Sequence, residues 1–250
     1  MGLEWESIAA IQRMLPYKAL SVGTVGRWVI AGVCYDRVIV PPAALLHLGR
    51  VERKIVEELS TYARPAFVAG RLALRAALNA VPGSPTCPEG FRRATDGAPA
   101  LPGGFMGSIT HKACLALAVA GADCGVGVGI DLESKLPERS KLSDRILNAD
   151  EMKELRLLSP CDLWPEVLAR FSLKEAAFKS LTAPLRYAIH SFKQMSVRMS
   201  GIVRSTGVFQ DADIEIASDR LPVALVVHGM VALLGKQVLA LSWADCQDAM

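Results

Sequence analysis

The pattern of apolar and polar positions predicts a chain that mixes strands with amphipathic helices. VGRWVIAGVCYD, residues 25–36, is rich in β-branched and aromatic side chains and predicts a strand region near the N-terminus. In residues 43–80 the segments RVERKIVEELS and ARPAFVAGRLALRAAL repeat apolar positions every 3.6 residues, which predicts helices. Five prolines between Val81 and Gly104 predict a long loop without regular structure.

The second half of the chain opens with two short apolar runs. CLALAVAG at 114–121 and GVGVGIDLE at 125–133 are separated by the turn-like ADC, which predicts a β-hairpin. Helices are expected over about 140–182. The remainder alternates as four strands, in the segments QMSVRM, FQDADIEI, PVALVVHG and QVLALSWAD.

A short internal similarity bears on the domain organisation. LALAVAGADC at 115–124 and LALSWADC at 239–246 lie half a chain length apart. Two similar α+β halves that meet near residue 125 would account for this spacing. The sequence therefore favours an α+β fold built as a pseudo-dimer, with residues 1–124 in one half and 125–250 in the other.

Composition limits the classes of protein. The 250 residues are 51% hydrophobic and 21% charged, enough for a sizeable core. The net charge of +3 and the pI of about 8.5 suit acidic partners but fall short of a dedicated nucleic-acid binder. Six cysteines form no C-x-x-C pair, and the start MGLEWESIAA has no signal-peptide pattern, so a cytoplasmic protein is expected. The most apolar stretch, residues 221–235, is too short to span a bilayer, and we expect it to be core.

The acidic pair at the end of GVGIDLES is the first candidate for chemistry. Asp131 and Glu133 project from the same side of a strand, while Leu132 points into the core. Two carboxylates at this spacing can share one divalent cation, and Mg²⁺ takes one or two protein carboxylates plus substrate phosphates. The spacing alone is more typical of a strand that ends in a polar cap.

A second candidate is the predicted helix RFSLKEAAFKSL, residues 170–181. Glu175 and Lys179 are four residues apart and lie side by side at the polar edge of its apolar face. An ordinary surface ion pair is the alternative interpretation. Lys174 falls within the apolar face, where its stem would be covered and its ammonium would reach solvent.

Two further groups of residues suit phosphate. In GSITHK, immediately before the predicted strand CLALAVAG, the side chains of Ser108, Thr110, His111 and Lys112 offer donors next to exposed backbone N–H groups.

On the preceding helix Arg64, Arg71 and Arg75 are spaced by seven and four residues, so they share a face from which guanidiniums can bind phosphate. A structural histidine and an exposed basic stripe are the alternatives. No zinc spacing, phosphate-binding loop or nucleophile elbow is present. A strand follows the glycines of GVGVG, so these predict close packing rather than a dinucleotide site.

In order along the chain, GSITHK, GIDLE and FSLKEAAFK resemble the signature of the 4′-phosphopantetheinyl transferases. The similarity is to the long, pseudo-dimeric type, and AGRLALRAAL with LPGGFMGSITH resembles its enterobactin-synthetase-component-D-like branch. The resemblance implies two α+β halves, each with an antiparallel three-stranded sheet packed with helices, and an active site in the cleft between them. The N-terminal half would bind the 3′-phosphate of coenzyme A, and the C-terminal half would carry the metal and catalytic residues.

The resemblance also implies roles for individual residues. Asp131, Glu133 and Glu175 would hold Mg²⁺ or Mn²⁺ on the pyrophosphate of coenzyme A, and Glu175 would be the base that activates the carrier serine. Lys179 would contact the phosphate near the bond that breaks. The remaining coenzyme A ligands would be the following residues of the N-terminal half: Thr110, His111, Arg75 and, more weakly matched, Arg64 and Arg71.

The implied reaction moves phosphopantetheine from coenzyme A to a serine of an apo carrier protein and releases 3′,5′-ADP. Carriers of polyketide, nonribosomal peptide or siderophore synthesis, with an acidic recognition helix, would be the partners of a monomeric enzyme that binds neither nucleic acid nor membrane. One departure is Ala98, where many relatives have a basic residue that Arg92 or Arg93 would have to replace. Another metal-dependent phosphoryl-transfer enzyme, such as a nuclease, and a non-catalytic carrier-binding module are the alternatives.

Overall fold

The computed structural model describes residues 4–6, 19–94, 97–123, 127–135, 141–203, 208–221 and 225–244. Its contacts divide the chain into two compact units, with the boundary between Cys124 and Gly125. Each unit has its own hydrophobic core. The two units are therefore described one at a time.

The N-terminal unit is an antiparallel sheet covered by helices. Its elements are β1 Glu4–Glu6, β2 Ala19–Val25, β3 Trp28–Cys34, α1 Pro42–Leu46, α2 Arg50–Glu58, α3 Arg64–Asn79, β4 Phe105–Lys112 and β5 Leu115–Ala122. The strand order is β1-β2-β3-β5-β4. Helix α3 packs on β3, β4 and β5, because its apolar positions face alanines and valines on one side of that sheet.

The C-terminal unit has the same kind of architecture. Its elements are β6 Gly127–Ser134, α4 Leu142–Ile146, α5 Ala149–Leu155, α6 Pro160–Ser180, α7 Ala183–Tyr187, a 3₁₀ turn Phe192–Gln194, β7 Met195–Met199, β8 Gln210–Ile216, β9 Leu225–Leu234 and β10 Gln237–Ala244. All strand pairs are antiparallel, in the order β6-β10-β9-β8-β7. Helix α6 begins with Pro160 at its first position, where a missing N–H costs nothing, and packs on β6, β9 and β10.

The α+β class is confirmed, but each sheet has five strands where three were expected. A three-stranded core is nevertheless common to both units. In each, a strand leads into helices and the chain returns as a hairpin whose second strand pairs with the first, giving β3-β5-β4 and β6-β10-β9. Two more strands extend each sheet at a different edge. The two segments with the LALA-like match lie on β5 and β10, which hold the same place in this common core.

The predicted hairpin between residues 114–121 and 125–133 is wrong. Strand β5 lies between β3 and β4, so both of its edges already have partners, and β6 pairs with β10. The hairpin in this region is instead β4–β5, which turns at Ala113 with φ of 54°. GSITHK therefore lies within a strand rather than before one.

Most other predicted elements are confirmed. The strand at 28–34, the helices over 50–79 and 142–180 and the four C-terminal strands are present. The described residues between α3 and β4 contain a single isolated bridge, Arg93 to Pro99, and no helix or longer strand. Of the apolar stretch at 221–235, Leu225–Leu234 forms the interior strand β9, as expected of core. No helix in the described ranges is long and apolar enough to cross a membrane.

Candidate active site

Helix α6 lies unusually close to strand β6. Gly127, Gly129, Asp131 and Glu133 alternate along β6 and so share the side on which α6 packs. A Cβ atom at Gly129 would lie 1.9 Å from the carbonyl oxygen of Ala176, and one at Gly127 would lie closer still to a carbonyl of the helix. The glycines therefore permit the predicted close packing, and the two acids that follow them face the same helix.

Asp131 is the centre of this group of residues. It is 5% exposed. Its Oδ1 accepts a hydrogen bond from Nζ of Lys179 at 2.7 Å, and its Oδ2 accepts one from Oγ of Ser172 at 3.0 Å. Both donors come from α6. The carboxylate is thus oriented through both oxygens and paired with one ammonium charge.

The other two predicted acids lie on the same two elements. Glu133 is 8% exposed and follows Asp131 by two residues on the same side of β6. Glu175 is half-buried on α6, three residues after Ser172 and four before Lys179, so it shares the helix face that contacts Asp131. The structure therefore places all four residues predicted for metal binding and catalysis on the facing sides of one strand and one helix.

These carboxylates suit a hard divalent cation by their chemistry. Within the described ranges, no group of three or more histidine, cysteine, aspartate or glutamate side chains is arranged to hold a metal ion. A magnesium site does not need three, because Mg²⁺ typically takes one or two carboxylates and completes its octahedron with water and substrate phosphate. Two buried carboxylates on one side of β6 fit that requirement.

Lys174 does not reach solvent as expected. Its side chain is 0% exposed, and its Nζ donates to the backbone oxygen of Ile146 at 2.7 Å and to Oε2 of Glu151 at 2.6 Å. Oε1 of Glu151 also accepts from the backbone N–H of Val197 at 3.1 Å. Burial holds the pKa of Lys174 below its ordinary value, and the charge of Glu151 opposes that shift. The pair joins α6 to α5 and β7.

The three arginines of α3 all turn toward α2. Arg64 donates from Nε to the backbone oxygen of Leu59 at 3.0 Å and from Nη2 to that of Glu57 at 3.2 Å. These carbonyls end α2, so Arg64 caps that helix. Its guanidinium therefore has backbone partners already, and a phosphate role for Arg64 stays a prediction.

Arg71 and Arg75 meet at one buried carboxylate. Arg75 donates to Oε2 of Glu52 from both Nε and Nη2, and Nε of Arg71 lies 4.0 Å from Oε1 of the same residue. Burial lowers the pKa of Arg71, Glu52 opposes this, and the charges of Arg93 and Arg75 add to it. Arg93, proposed as a substitute for the basic residue missing at Ala98, is thus near the same cluster.

Thr110 and His111 are adjacent on β4 and therefore lie on opposite sides of its sheet. Ile109 and Phe105 pack into the core under α3, so His111 shares their side and is exposed at the end of the strand. Thr110 is 6% exposed on the other side. The strand thus separates the two side chains that the resemblance assigns to the phosphates.

Sequence reasoning missed two residues of these clusters. Ser172 lies three residues before Glu175 in FSLKEAAFK, and helical spacing alone could have placed it on the same face. Glu52, in RVERKIVEELS, has no predicted role. Its position three residues after Gly49 at a helix start was the available signal, since Glu at that position bonds back to the N-cap N–H, as it does here at 2.9 Å.

Two family models match this chain. Residues 52–121 match the 4′-phosphopantetheinyl transferase N-terminal domain, and residues 127–226 match the 4′-phosphopantetheinyl transferase superfamily. Together the two segments cover more than half of the chain, one in each compact unit. The chain belongs to the 4′-phosphopantetheinyl transferase superfamily and carries both of these domains in one polypeptide.

One of the solved structures that match this chain is a synthase. The crystal structure of Thermotoga maritima holo-acyl-carrier-protein synthase aligns with 48% of this chain and 62% of its own, at 23% identity and a TM-score of 0.32. The alignment thus spans less than two thirds of that synthase. The search of curated proteins found no match.

Proposed function

We propose that this protein transfers 4′-phosphopantetheine from coenzyme A to a serine of an apo carrier protein and releases 3′,5′-ADP. The observation that carries the proposal is the buried Asp131, oriented by Lys179 and Ser172 next to Glu133. This group lies within the segment that matches the superfamily. Desolvation of each buried carboxylate costs roughly several kcal/mol. A carrier-binding module without catalysis would gain nothing from that cost.

The proposed chemistry is an in-line displacement at phosphorus. The serine oxygen bonds to the β-phosphorus of coenzyme A, the bond from that phosphorus to the bridging oxygen breaks, and 3′,5′-ADP leaves with that oxygen. Glu175 accepts the serine proton, directly or through one water. Lys179 presents its ammonium to the phosphate oxygens as negative charge shifts toward the leaving group. Asp131, Glu133 and Glu175 would hold Mg²⁺, which supplies charge neutralisation of the pyrophosphate when bound.

The finer part of the proposal concerns substrates. Polyketide, nonribosomal peptide and siderophore carriers are the proposed acceptors, on the resemblance of AGRLALRAAL and LPGGFMGSITH to the enterobactin-synthetase-component-D-like branch. The net charge of +3 favours carriers with an acidic recognition helix. Because both family domains are present in one chain, we propose that it acts as a monomer.

Intact-protein mass spectrometry tests the proposal. The purified chain is incubated with coenzyme A, Mg²⁺ and a panel of apo carriers from fatty-acid, polyketide and peptide synthesis. We expect a phosphopantetheine mass on at least one carrier, with rates that rank the pathways. Carrier binding without any mass gain across the panel would favour the non-catalytic module. Cleavage of nucleic acid with no use of coenzyme A would favour the nuclease.

A further inference from the structure

Glu52 is a fully buried carboxylate between helices α2 and α3. Its exposure is 0%. Oε2 accepts from the backbone N–H of Gly49 at 2.9 Å and from Nε of Arg75 at 3.2 Å, while Oε1 lies 4.0 Å from Nε of Arg71. One carboxylate therefore faces two guanidiniums that stand one helical turn apart.

The charges in this cluster do not balance. Two arginines, which stay protonated in proteins, share one carboxylate, and Arg71 is only 3% exposed. Nη1 of Arg71 and Oε1 of Glu52 are both buried and have no hydrogen-bond partner among the residues that the structure describes. A buried excess of positive charge is unfavourable unless an anion compensates it. Among the described residues the cluster therefore has one uncompensated positive charge and one N–H donor, Nη1 of Arg71, that is not hydrogen-bonded.

Both guanidiniums are fixed in place before any ligand binds. Cζ of Arg71 lies 5.0 Å from the ring centre of Phe67, and Cζ of Arg75 lies 5.1 Å from that of Phe91. Nη1 of Arg75 also donates to the backbone oxygen of Cys87 at 3.0 Å. These contacts limit the guanidiniums to one orientation, which lowers the entropy cost of binding an anion.

The loop after α3 closes directly over the carboxylate. Gly90 has φ of 86°, and a Cβ atom on it would lie 2.6 Å from Oε2 of Glu52. Glu52 is therefore enclosed by backbone and by its two arginines, and its carboxylate cannot contact a ligand directly. Its action on a bound anion can only pass through the arginines.

We propose that Glu52 is a positioning residue that orients Arg71 and Arg75 for the 3′-phosphate of coenzyme A. The inference rests on the proposed function for the identity of the anion. Glu52 repels the phosphate as a like charge, yet it fixes the direction in which both guanidiniums present their free N–H groups. The two arginines and one glutamate together carry one net positive charge, which attracts an anionic ligand.

Calorimetry of product binding tests this without any turnover. The full chain is titrated with 3′,5′-ADP and with 5′-AMP, which lacks the 3′-phosphate. Wild type should prefer 3′,5′-ADP. Glu52→Gln keeps the shape but removes the charge that holds the arginines, so it should weaken 3′,5′-ADP binding about tenfold and leave 5′-AMP binding unchanged. Arg75→Ala should lose the same preference. The double variant Glu52→Gln/Arg75→Ala should bind 3′,5′-ADP no more weakly than Arg75→Ala alone.

Glu166→Gln is the matched control. Glu166 is also buried, at 2% exposure, and also accepts from an arginine, Nη1 of Arg170 at 2.7 Å. Its variant should lose stability and keep the preference for 3′,5′-ADP. Glu52→Asp retains the charge with a shorter reach and should bind 3′,5′-ADP better than Glu52→Gln, which separates positioning from folding.

The outcomes keep the two proposals apart. A Glu52→Gln protein that is folded and prefers 3′,5′-ADP as strongly as wild type overturns the positioning role, whatever the transfer assay gives. A wild type with no preference overturns it as well. If wild type prefers 3′,5′-ADP through Glu52 but modifies no carrier, the positioning role stands and the transferase proposal fails.

Discussion

The Nζ atom of Lys179 lies 2.7 Å from Oδ1 of Asp131 and 3.2 Å from the backbone oxygen of Ile130. The side chain of Lys179 is 29% exposed, and the side chain of Asp131 is 7% exposed. The ammonium thus bridges a buried carboxylate and accessible surface. This is the arrangement expected of a cation that supports an acidic site on one side and meets substrate phosphate on the other.

Asp131→Asn should abolish transfer. The amide preserves size and can still accept from Ser172, so the fold should persist, but the charge needed for a metal and for Lys179 is lost. We expect the rate of carrier modification to fall more than about 100-fold, with an unchanged circular dichroism spectrum. Asp213→Asn is the control, because Asp213 is also strand-borne and paired, with His228 at 2.7 Å, but exposed. Turnover near wild type in Asp131→Asn would remove the metal assignment.

Ser172→Ala should weaken metal binding. Ser172 is buried at 0% exposure, and its hydroxyl donates to Asp131 Oδ2, which fixes the carboxylate plane. Loss of such an outer contact typically costs about 10–100-fold in metal affinity or activity. Mn²⁺ binding followed by electron paramagnetic resonance measures this without turnover. Ser172→Thr, which keeps the hydroxyl, should restore part of the affinity; equal Mn²⁺ affinity in all three proteins would contradict the role.

Glu175→Gln should lose most activity while carrier and coenzyme A still bind. The amide cannot accept the serine proton, and general-base catalysis contributes roughly 10²–10⁴-fold. Single-turnover transfer rates at saturating coenzyme A isolate this step. Glu154→Gln serves as a control on a neighbouring helix, since Glu154 is an exposed partner of Arg170. Retained transfer in Glu175→Gln would assign proton removal to water alone.

The sequence places the C-terminal group of residues on one strand and one helix because the determinants of that placement are local. Alternation on one strand sets Asp131 and Glu133 on the same side, and helical spacing sets Glu175 and Lys179 on one face. Glycines at alternate positions of β6 then indicate which side the helix approaches. No long-range information is needed beyond the fact that this helix packs on this strand.

Tertiary partners explain what the sequence did not reveal. The local pattern at 114–133 is typical of a hairpin. It does not show that both edges of β5 are already paired, with β3 and β4, because strand pairing depends on distant segments. Arg71 and Arg75 looked like a free basic face because Glu52 lies on another helix. Lys174 looked like a residue that reaches solvent, since its buried partner Glu151 is 23 residues away.

Gly129→Ala should destabilise the C-terminal unit. The new methyl group would lie 1.9 Å from the carbonyl oxygen of Ala176. This contact joins the backbone of β6 to the backbone of α6, and neither can move aside as a flexible side chain could. Forced overpacking of this kind costs about 3 kcal/mol or more, which urea denaturation measures. Gly103→Ala is the control, because nothing lies within 4 Å of its added Cβ. Equal unfolding midpoints for the two variants would refute the close approach of α6.

Lys174→Met should leave Glu151 as an uncompensated buried charge. Breaking one side of a buried pair costs about 3–5 kcal/mol. Adding Glu151→Gln removes that charge while keeping an acceptor for the N–H of Val197, so the double variant should recover part of the loss. Free energies of unfolding from urea curves give this comparison. A double variant less stable than Lys174→Met would mean that Glu151 stabilises the unit without its lysine.

The same lysine predicts a dependence of stability on pH. Burial lowers the pKa of Lys174 below its ordinary 10.5, so just under that pH the unfolded chain binds more protons than the folded protein. Its contribution to stability is therefore fully present above 10.5 and is lost as pH falls through the lowered pKa. The free energy of unfolding of wild type relative to Lys174→Met should rise with pH in the window between the lowered pKa and 10.5. A difference that stays flat or falls across that window would show that Glu151 outweighs burial and keeps the lysine charged throughout.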